Sequence, residues 1–298
     1  MLKKPVVWIA VLVIVVVAAA ASPGARTKGY FAFERAWIAH WPFAVGARLP
    51  ARLERIVRPT TPVWTQVEPG VTMRLDPRDL VSREILRTGA WEAASWDAMR
   101  MHLAPGSVFV DVGAHIGYYS LKAARVVGPG GHVIAIEPNP PTVRELEDNV
   151  RASGATIVNV QPVACSDAES MLDLFAAPEA NTGQTSLSKA NASQSGTVAA
   201  TFHVRARPLD DIVTDAGLTR VDVVKVDVEG AEMLVLKGAV DVLARYHPVV
   251  MVELVDQQLR SMGSSDAQVR SFLNAHGYTA RGTFEDNVEF AWSGGVSR

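Results

Sequence analysis

Two clusters in this sequence have the residue types and spacing to do chemistry. The first is Asp111-Val-Gly113-Ala-His115-Ile-Gly117, which follows an apolar run that begins at Val108 and stops at Asp111. Glycines at a strand exit let backbone come close to a ligand, and a helix start offers unpaired N–H groups. A dinucleotide site spaces three glycines G-x-G-x-x-G so that a pyrophosphate can approach. Here the spacing differs, and the carboxylate of Asp111 would repel a phosphate. A ligand with a positive end is favoured instead, and S-adenosylmethionine fits, with an ammonium, a sulfonium and no phosphate. The second cluster is Lys225-Val-Asp227-Val-Glu229-Gly230-Ala-Glu232. Alternation puts Lys225, Asp227 and Glu229 on one side of a strand end, a group costly to bury without a purpose. Methyl transfer to a hydroxyl needs a base, and Asp227 or Glu229 could be that base or a ligand for Mg²⁺, which favours oxygen donors. The structural alternative is a Lys225–Asp227 pair with Glu229 as a helix N-cap acid.

Other residues stand where strand ends should meet a ligand crevice. Glu137 lies twenty residues past Gly117, where a carboxylate can accept hydrogen bonds from both ribose hydroxyls of an adenosine cofactor. Ser166 and Asp167 could bond the adenine amino group or simply form a turn. Glu253 ends the wholly apolar stretch Val249–Val252 and could serve as base or metal ligand. His115 lies in the glycine turn, near the cofactor. No histidine pair has metal-ligand spacing, and no G-x-S-x-G elbow or P-loop occurs.

The elements that position these groups alternate as strand and helix, the signature of a parallel α/β sheet. A strand over Val108–Asp111 leads into a helix ending near Val127. A strand over His132–Ile136 precedes a helix with Asn139 as N-cap, prolines in its first turn and Gly154 after its end. A further strand lies near Ile157–Val160. From Met171 to about Ala206 the rhythm breaks: two strand-like pieces flank a Ser-, Asn- and Gly-rich stretch, which reads as a hairpin insertion with a mobile tip, either a substrate lid or a solvated loop. The pattern then resumes with a strand over Val221–Val226, a helix from about Glu229 to Ala244, and a strand at 248–253. A helix capped by Ser265 and Gln268 follows, and a strand pair at 277–292 ends the chain.

With 298 residues, 48% hydrophobic and 20% charged, the chain has an ordinary globular composition plus a membrane-like start. The net charge of −2 gives no sign of nucleic-acid binding. Cys165 is the single cysteine, so neither an internal disulfide nor a Cys-based zinc site can form, and a buried inert thiol is expected. After Lys3 and Lys4, the sixteen residues Val6–Ala21 carry no charge. They would span about 24 Å as a helix, short for a ~30 Å hydrocarbon core. Residues 1–21 read as a transmembrane signal anchor or a signal peptide. Residues 22–70 read as a basic and aromatic juxtamembrane linker: between Arg26 and Arg58 seven basic residues face two acidic ones, with Tyr30, Trp37 and Trp41 interleaved and prolines from Pro42 to Pro69 interrupting any long element. Residues 71–298 form the remaining domain. Because the cofactor is made in the cytosol, a single-pass anchor with a cytoplasmic catalytic domain is expected; the alternative is export after signal cleavage.

Taken together, Val108–Leu121, Ala135–Asn139, Ala164–Asp167, Pro208–Asp211, Val224–Glu232 and Val250–Glu253 resemble the FkbM family of S-adenosylmethionine-dependent methyltransferases, over roughly residues 75 to 255. The resemblance implies the doubly wound, Rossmann-like fold of class I methyltransferases, a mostly parallel seven-stranded sheet with a reversed terminal strand. It implies a cofactor pocket lined by Asp111, Gly113, Ala114, His115, Gly117, Glu137, Pro138, Asn139, Ser166 and Asp167. Upstream, Thr88-Gly-Ala-Trp91-Glu92 is similar to a family segment whose Glu helps orient the cofactor. The catalytic residues would be Lys225, Asp227, Glu229 and Glu253, with Asp227, Glu229 and Glu253 as metal ligands if Mg²⁺ is used. Better-understood members methylate hydroxyls of sugars, glycans or polyketides, so the expected partner is a glycan, glycolipid or other hydroxylated small molecule. Two alternatives stay open: an NAD(P)-dependent oxidoreductase, which shares the sheet and Glu137 but wants the third glycine, and a catalytically inactive, membrane-tethered binding module.

Overall fold

The computed structural model describes residues 22–40 and 59–294. The stretch read as an anchor or signal peptide, residues 1–21, lies outside the described residues. No helix among the described residues is long and apolar enough to cross a membrane. The chain divides into two compact units, one holding residues up to Val67 together with Met73–Trp91, the other holding Glu68–Thr72 and the chain from Glu92 onward.

In chain order, α1 (Pro23–His40) precedes the strands β1 (Val63–Glu68) and β2 (Val71–Leu75), which pair, and α2 (Leu80–Thr88). The prolines of this region point to a linker without long elements, yet α1 runs for 18 residues. It ends ahead of Pro42, and Pro23 sits at its first position, where a missing N–H loses no bond. Arg35 Nη2 donates to the Leu86 carbonyl at 2.6 Å, joining α1 to the end of α2. Asp79 caps α2 by accepting the Ser82 N–H, and Gly89 closes it at φ 91°.

The second unit opens with α3 (Ala93–Arg100), β3 (Val108–Val112), α4 (Tyr118–Val127), β4 (His132–Ile136), α5 (Pro140–Ala152) and β5 (Val158–Gln161). Next come β6 (Ala164–Cys165), β7 (Ser170–Ala176), β8 (Ala200–Arg207), α6 (Leu209–Asp215) and β9 (Val223–Val226). It closes with α7 (Glu232–Lys237), α8 (Val240–Tyr246), β10 (Val249–Glu253), α9 (Asp256–Ser261), α10 (Asp266–Ala275), β11 (Tyr278–Phe284) and β12 (Asn287–Trp292). Seven strands form one sheet in the order β11-β12-β10-β9-β3-β4-β5. Only β12 is reversed: it pairs antiparallel with both β10 and β11. The strand order turns back at β3, which lies between β4 and β9, and ligand crevices open at such switch points.

All five residues of β3 are buried, as a central strand covered on both faces requires. One face carries Val110, Val112, Val224, Val226, Val250 and Val252 into a core with Ile212, Leu243 and Leu273 from the helices. On the other face Asp111, Lys225 and Met251 stand in direct register across β3, β9 and β10. The sheet therefore sets a carboxylate beside an ammonium by pairing alone.

Three local expectations are revised. The helix expected from Glu229 to Ala244 is broken into α7 and α8 at Gly238, where any Cβ would overlap the Ser166 carbonyl oxygen. Asn139 occupies the N-cap position of α5, but its side-chain amide donates to Thr142 Oγ1 at 2.9 Å instead of capping the helix. The insertion is a hairpin as expected, with β7 and β8 in register from Ser170–Ala206 to Ala176–Ala200. Its tip is folded, with a 3₁₀ turn at Glu179–Gln184, a bridge from Phe175 to Ser186 and a helical turn at Lys189–Ala192 that buries Asn191. The Ser265 cap of α10 forms as expected and accepts the Gln268 N–H. Cys165 is buried, and burial pushes its thiol up to about 12, which leaves it inert at neutral pH.

Candidate active site

The glycine turn after β3 lies against the exit of β9. Gly113 has φ 87°, and a Cβ there would overlap the carbonyl oxygen of Asp227. Gly113→Ala should therefore lose about 2–4 kcal/mol to strain and overlap, and lower the melting temperature by roughly 5–10 °C. An unchanged melting curve would contradict this contact. Four N–H groups of the turn are bonded within the protein. Gly113 and Ala114 donate to the Ile136 carbonyl at 3.0 and 2.9 Å, and Gly117 donates to the Ala114 carbonyl at 2.8 Å. The His115 N–H donates to Glu137 Oε2 at 3.0 Å.

Glu137, just past β4, is buried and accepts a second backbone bond from the Asn139 N–H at 2.9 Å. Each carboxylate oxygen keeps another lone pair for a ribose hydroxyl. Burial raises this carboxyl to about 7, against the pull of those two N–H bonds. Pro138, between Glu137 and Asn139, is half-buried. Asp111 is not at an open strand tip. It is fully buried, its Oδ2 accepts the Ser120 hydroxyl at 2.6 Å, and its Oδ1 has no partner. Burial raises its carboxyl, with Lys225 acting in the opposite direction.

Lys225 is the hub of the crevice. Its Nζ lies 2.7 Å from Asp227 Oδ2 and 4.7 Å from the centre of the Tyr119 ring. Burial alone would lower its proton affinity, but Asp227, Asp111 and Glu92 outweigh burial and hold it charged. Glu92 Oε2 accepts the Tyr119 hydroxyl at 2.7 Å and the Asn287 amide at 3.2 Å. Burial and then the charge of Asp227 raise the Glu92 carboxyl.

Beyond Lys225, one carboxylate oxygen from each of Asp227, Glu229 and Glu253 lies within 4.8 Å of the others. Glu229 is not the N-cap of α7: it sits at φ 55°, two residues before the cap position at Ala231. The backbone-binding carboxylate here is Glu232, whose Oε1 accepts the Val228 and Gly230 N–H groups at 3.1 and 3.0 Å. The insertion secures this loop, since Ser186 Oγ and Asn191 Nδ2 donate to the Glu229 carbonyl at 2.7 and 2.8 Å. Gln258 donates its side-chain amide to Glu229 Oε2. At the other end of the insertion, Thr182 Oγ1 is 2.8 Å from His115 Nε2. The insertion thus touches the exits of both β3 and β9.

Among the described residues, five non-glycine residues have positive φ, and Glu92, His115 and Glu229 are three of them. Such conformations persist where surrounding contacts hold them, and they gather at functional sites. The Ser166 N–H donates to the Arg207 carbonyl at 3.0 Å, and its hydroxyl donates to Asp167 at 3.2 Å. Tyr119, Ser120, Thr182, Ser186, Asn191, Gln258 and Asn287 were not legible as site residues. Of these, Tyr119 and Ser120 open the helix after the glycine turn, a position from which they could have been inferred.

A doubly wound, mostly parallel seven-stranded sheet with this reversed last strand is the architecture of class I methyltransferases. The chain belongs to the FkbM methyltransferase family, whose domain model matches residues 111–280. It is 30% identical over 207 residues to the AMB antimetabolite synthetase AmbE of Pseudomonas aeruginosa, across 59% of this chain and 10% of that protein. It is 28% identical over 144 residues to the hexuronic acid methyltransferase AglP of Haloferax volcanii, across 48% of this chain and 54% of that protein. The chain thus spans about half of one curated relative and a tenth of the other. A solved structure of a methyltransferase FkbM from Methylobacillus flagellatus KT is similar with a TM-score of 0.42 and 18% identity, covering 70% of this chain and 60% of that one.

Proposed function

We propose that this methyltransferase acts on oxygen, transferring the methyl group to a sugar hydroxyl of a glycan, glycolipid or related metabolite. The observation that carries this reading is the cluster of Asp227, Glu229 and Glu253 one strand away from the cofactor turn. A hydroxyl has a pKa far above 7, so its oxygen attacks the sulfonium methyl as a carboxylate takes the proton. The C–S bond breaks and S-adenosylhomocysteine leaves. A base contributes about 10²–10⁴-fold, and in-line positioning of the acceptor contributes more. Glu229 suits the base role, because burial and then Asp227 raise its carboxyl well above the usual carboxylate range, which strengthens it as a proton acceptor. The name of AglP supports a sugar-derived acceptor. Mg²⁺, if used, would be held by the same three carboxylates.

The full-length protein, supplied with methyl-labelled S-adenosylmethionine and a panel of uronic acids, neutral sugars and amines, should yield label in a methyl ether that resists alkaline hydrolysis. Label confined to a base-labile ester or to an amine would refute the reading.

On the cofactor side, Glu137 would hold the ribose, Glu92 and Asp111 would hold Lys225 and the walls around the methionine end, and His115 would border the adenosine. An ionised Glu137 accepts hydroxyl donors better than a protonated one. Its carboxyl sits at about 7, so cofactor affinity should weaken as pH falls through that value. The loss should be about tenfold at pH 6. Calorimetric titration from pH 5.5 to 8.5 would measure it, and Glu137→Gln should flatten the profile. An equally steep profile in the variant would remove Glu137 from this role. Residues 1–21 are proposed as a single-pass anchor with the catalytic unit in the cytoplasm. Export would instead give a mature N-terminus near Ser22, which N-terminal sequencing of the cellular protein distinguishes.

A further inference from the structure

Helix α3 begins without a cap of its own. Glu92 stands at its N-cap position, in left-handed backbone at φ 40°, and its side chain makes no bond to the helix. That carboxylate turns to the crevice, where it accepts the Tyr119 hydroxyl and the Asn287 amide. A carboxylate at a helix start is otherwise drawn to the open N–H groups beside it. Here those groups are met by a residue 190 positions further along the chain. Glu285 Oε1 accepts the Ala94 N–H at 3.2 Å, and its Oε2 accepts the Ser95 N–H at 2.9 Å. The Ser95 hydroxyl lies 2.6 Å from the same Oε2. Glu285 sits at the exposed rim, while Ser95 is fully buried.

Glutamate is a costly choice for the backbone at 285. Phe284 pairs with Asn287, so Glu285 is the first of two residues joining β11 to β12, and it has φ 49°. A two-residue hairpin turn with left-handed backbone at its first position favours glycine there. The side chain supplies what glycine could not, the acceptors for α3. The turn is also fixed in place. The Leu254 N–H donates to the Asp286 carbonyl at 2.9 Å, and Asn287 pairs with Glu253 on β10. The residues on either side of Asp286 thus grip one short segment: Glu285 holds the backbone just after Glu92, and Asn287 holds the Glu92 carboxylate.

We infer that Glu285 is a positioning residue for the cofactor site: by capping α3 from the β11–β12 turn, it frees the Glu92 carboxylate to face the crevice at the methionine end of S-adenosylmethionine. The inference rests on the cofactor role proposed for Glu92 and does not depend on the acceptor being a sugar. Glu285 acts through Glu92 and not on the ligand itself.

The test is a double-mutant cycle in which S-adenosylmethionine is titrated calorimetrically into full-length wild type, Glu285→Gly, Glu92→Gln and the double variant. Glycine suits the turn backbone, so the hairpin should survive while the cap is lost. Glu285→Gly alone should weaken cofactor binding about tenfold, a coupling ordinary for residues that act through one another. In the Glu92→Gln background the same change should weaken it less than about twofold, because the group being positioned is already altered. A residue that served stability alone would lower the melting temperature in both backgrounds and show no such coupling in affinity. Equal weakening in both backgrounds, or weakening below about threefold in the wild-type background, would overturn the inference. Ser95→Ala, which removes the hydroxyl facing Glu285, runs through the same cycle should Glu285→Gly fail to fold. A wild-type protein that does not bind S-adenosylmethionine would remove the cofactor reading and this inference with it, whereas wild-type binding with additive losses would remove this inference alone.

Discussion

A Lys225→Met protein should lose about 3–5 kcal/mol of folding stability at pH 7.5, the amount typical of a buried ion pair deprived of one partner. Lys225 is 1% exposed, so solvent does little to screen what surrounds it. Its ammonium is 2.7 Å from Asp227 and 4.7 Å from the Tyr119 ring centre, and its ladder neighbour on β3 is Asp111. Methionine fills a similar volume, so the loss is one of charge and not of packing. Three acidic groups, Asp111, Glu92 and Asp227, then share a buried wall with no cation. The deficit should shrink on acidification. Burial already raises the carboxyls of Asp111 and Glu92 above their unfolded values. A raised folded-state value gives stability that is present at low pH and lost as pH rises, and removing Lys225 raises both values further. Urea denaturation at pH 5.5 and 7.5 would measure the difference. A loss below 1 kcal/mol at pH 7.5, or one that grows at pH 5.5, would show that Lys225 is not the counter-charge of this crevice.

The same charge logic explains why part of the site was legible in the sequence. Period-two alternation puts Lys225 and Asp227 on one side of a strand whatever its neighbours are, and the glycine turn after Val108–Asp111 fixes the switch point. The βα rhythm points to a parallel sheet, and the reversed strand within the pair at 277–292 is implied by the family resemblance alone. Contacts between distant segments have no periodicity. Asn287 reaches Glu92 across 195 residues, and Gln258 reaches Glu229 across 29, through pairings that only the assembled sheet creates. The Ser- and Asn-rich composition of the insertion reads as solvated because those side chains commonly face water. Here Ser186 and Asn191 are buried because they satisfy one carbonyl, that of Glu229. The structural alternative for Glu229, an N-cap acid, failed for a related reason. The left-handed turn at Glu229 and Gly230 delays the helix, and Glu232 takes the loop N–H groups in its place.

Glu229→Gln should lower kcat by about 10²–10⁴-fold while the affinity for S-adenosylmethionine stays within about threefold, the pattern expected when proton removal is lost and ground-state binding is kept. The amide is nearly isosteric and can still meet Gln258, so the loop should retain its shape. The pH–rate profile separates a base from a structural residue. The Glu229 carboxyl is raised by burial and then by Asp227, so in the wild-type enzyme kcat should fall as acid protonates it. In the variant that acidic limb should be absent. Asn191→Ala provides the control for positioning, since it removes a donor to the Glu229 carbonyl and leaves the carboxylate intact. It should reduce kcat by about tenfold, with the acidic limb preserved. If Glu229→Gln turned over at the wild-type rate, the acceptor's proton would have to leave by another route, and the acidic ends of β9 and β10 would not be where the hydroxyl is activated.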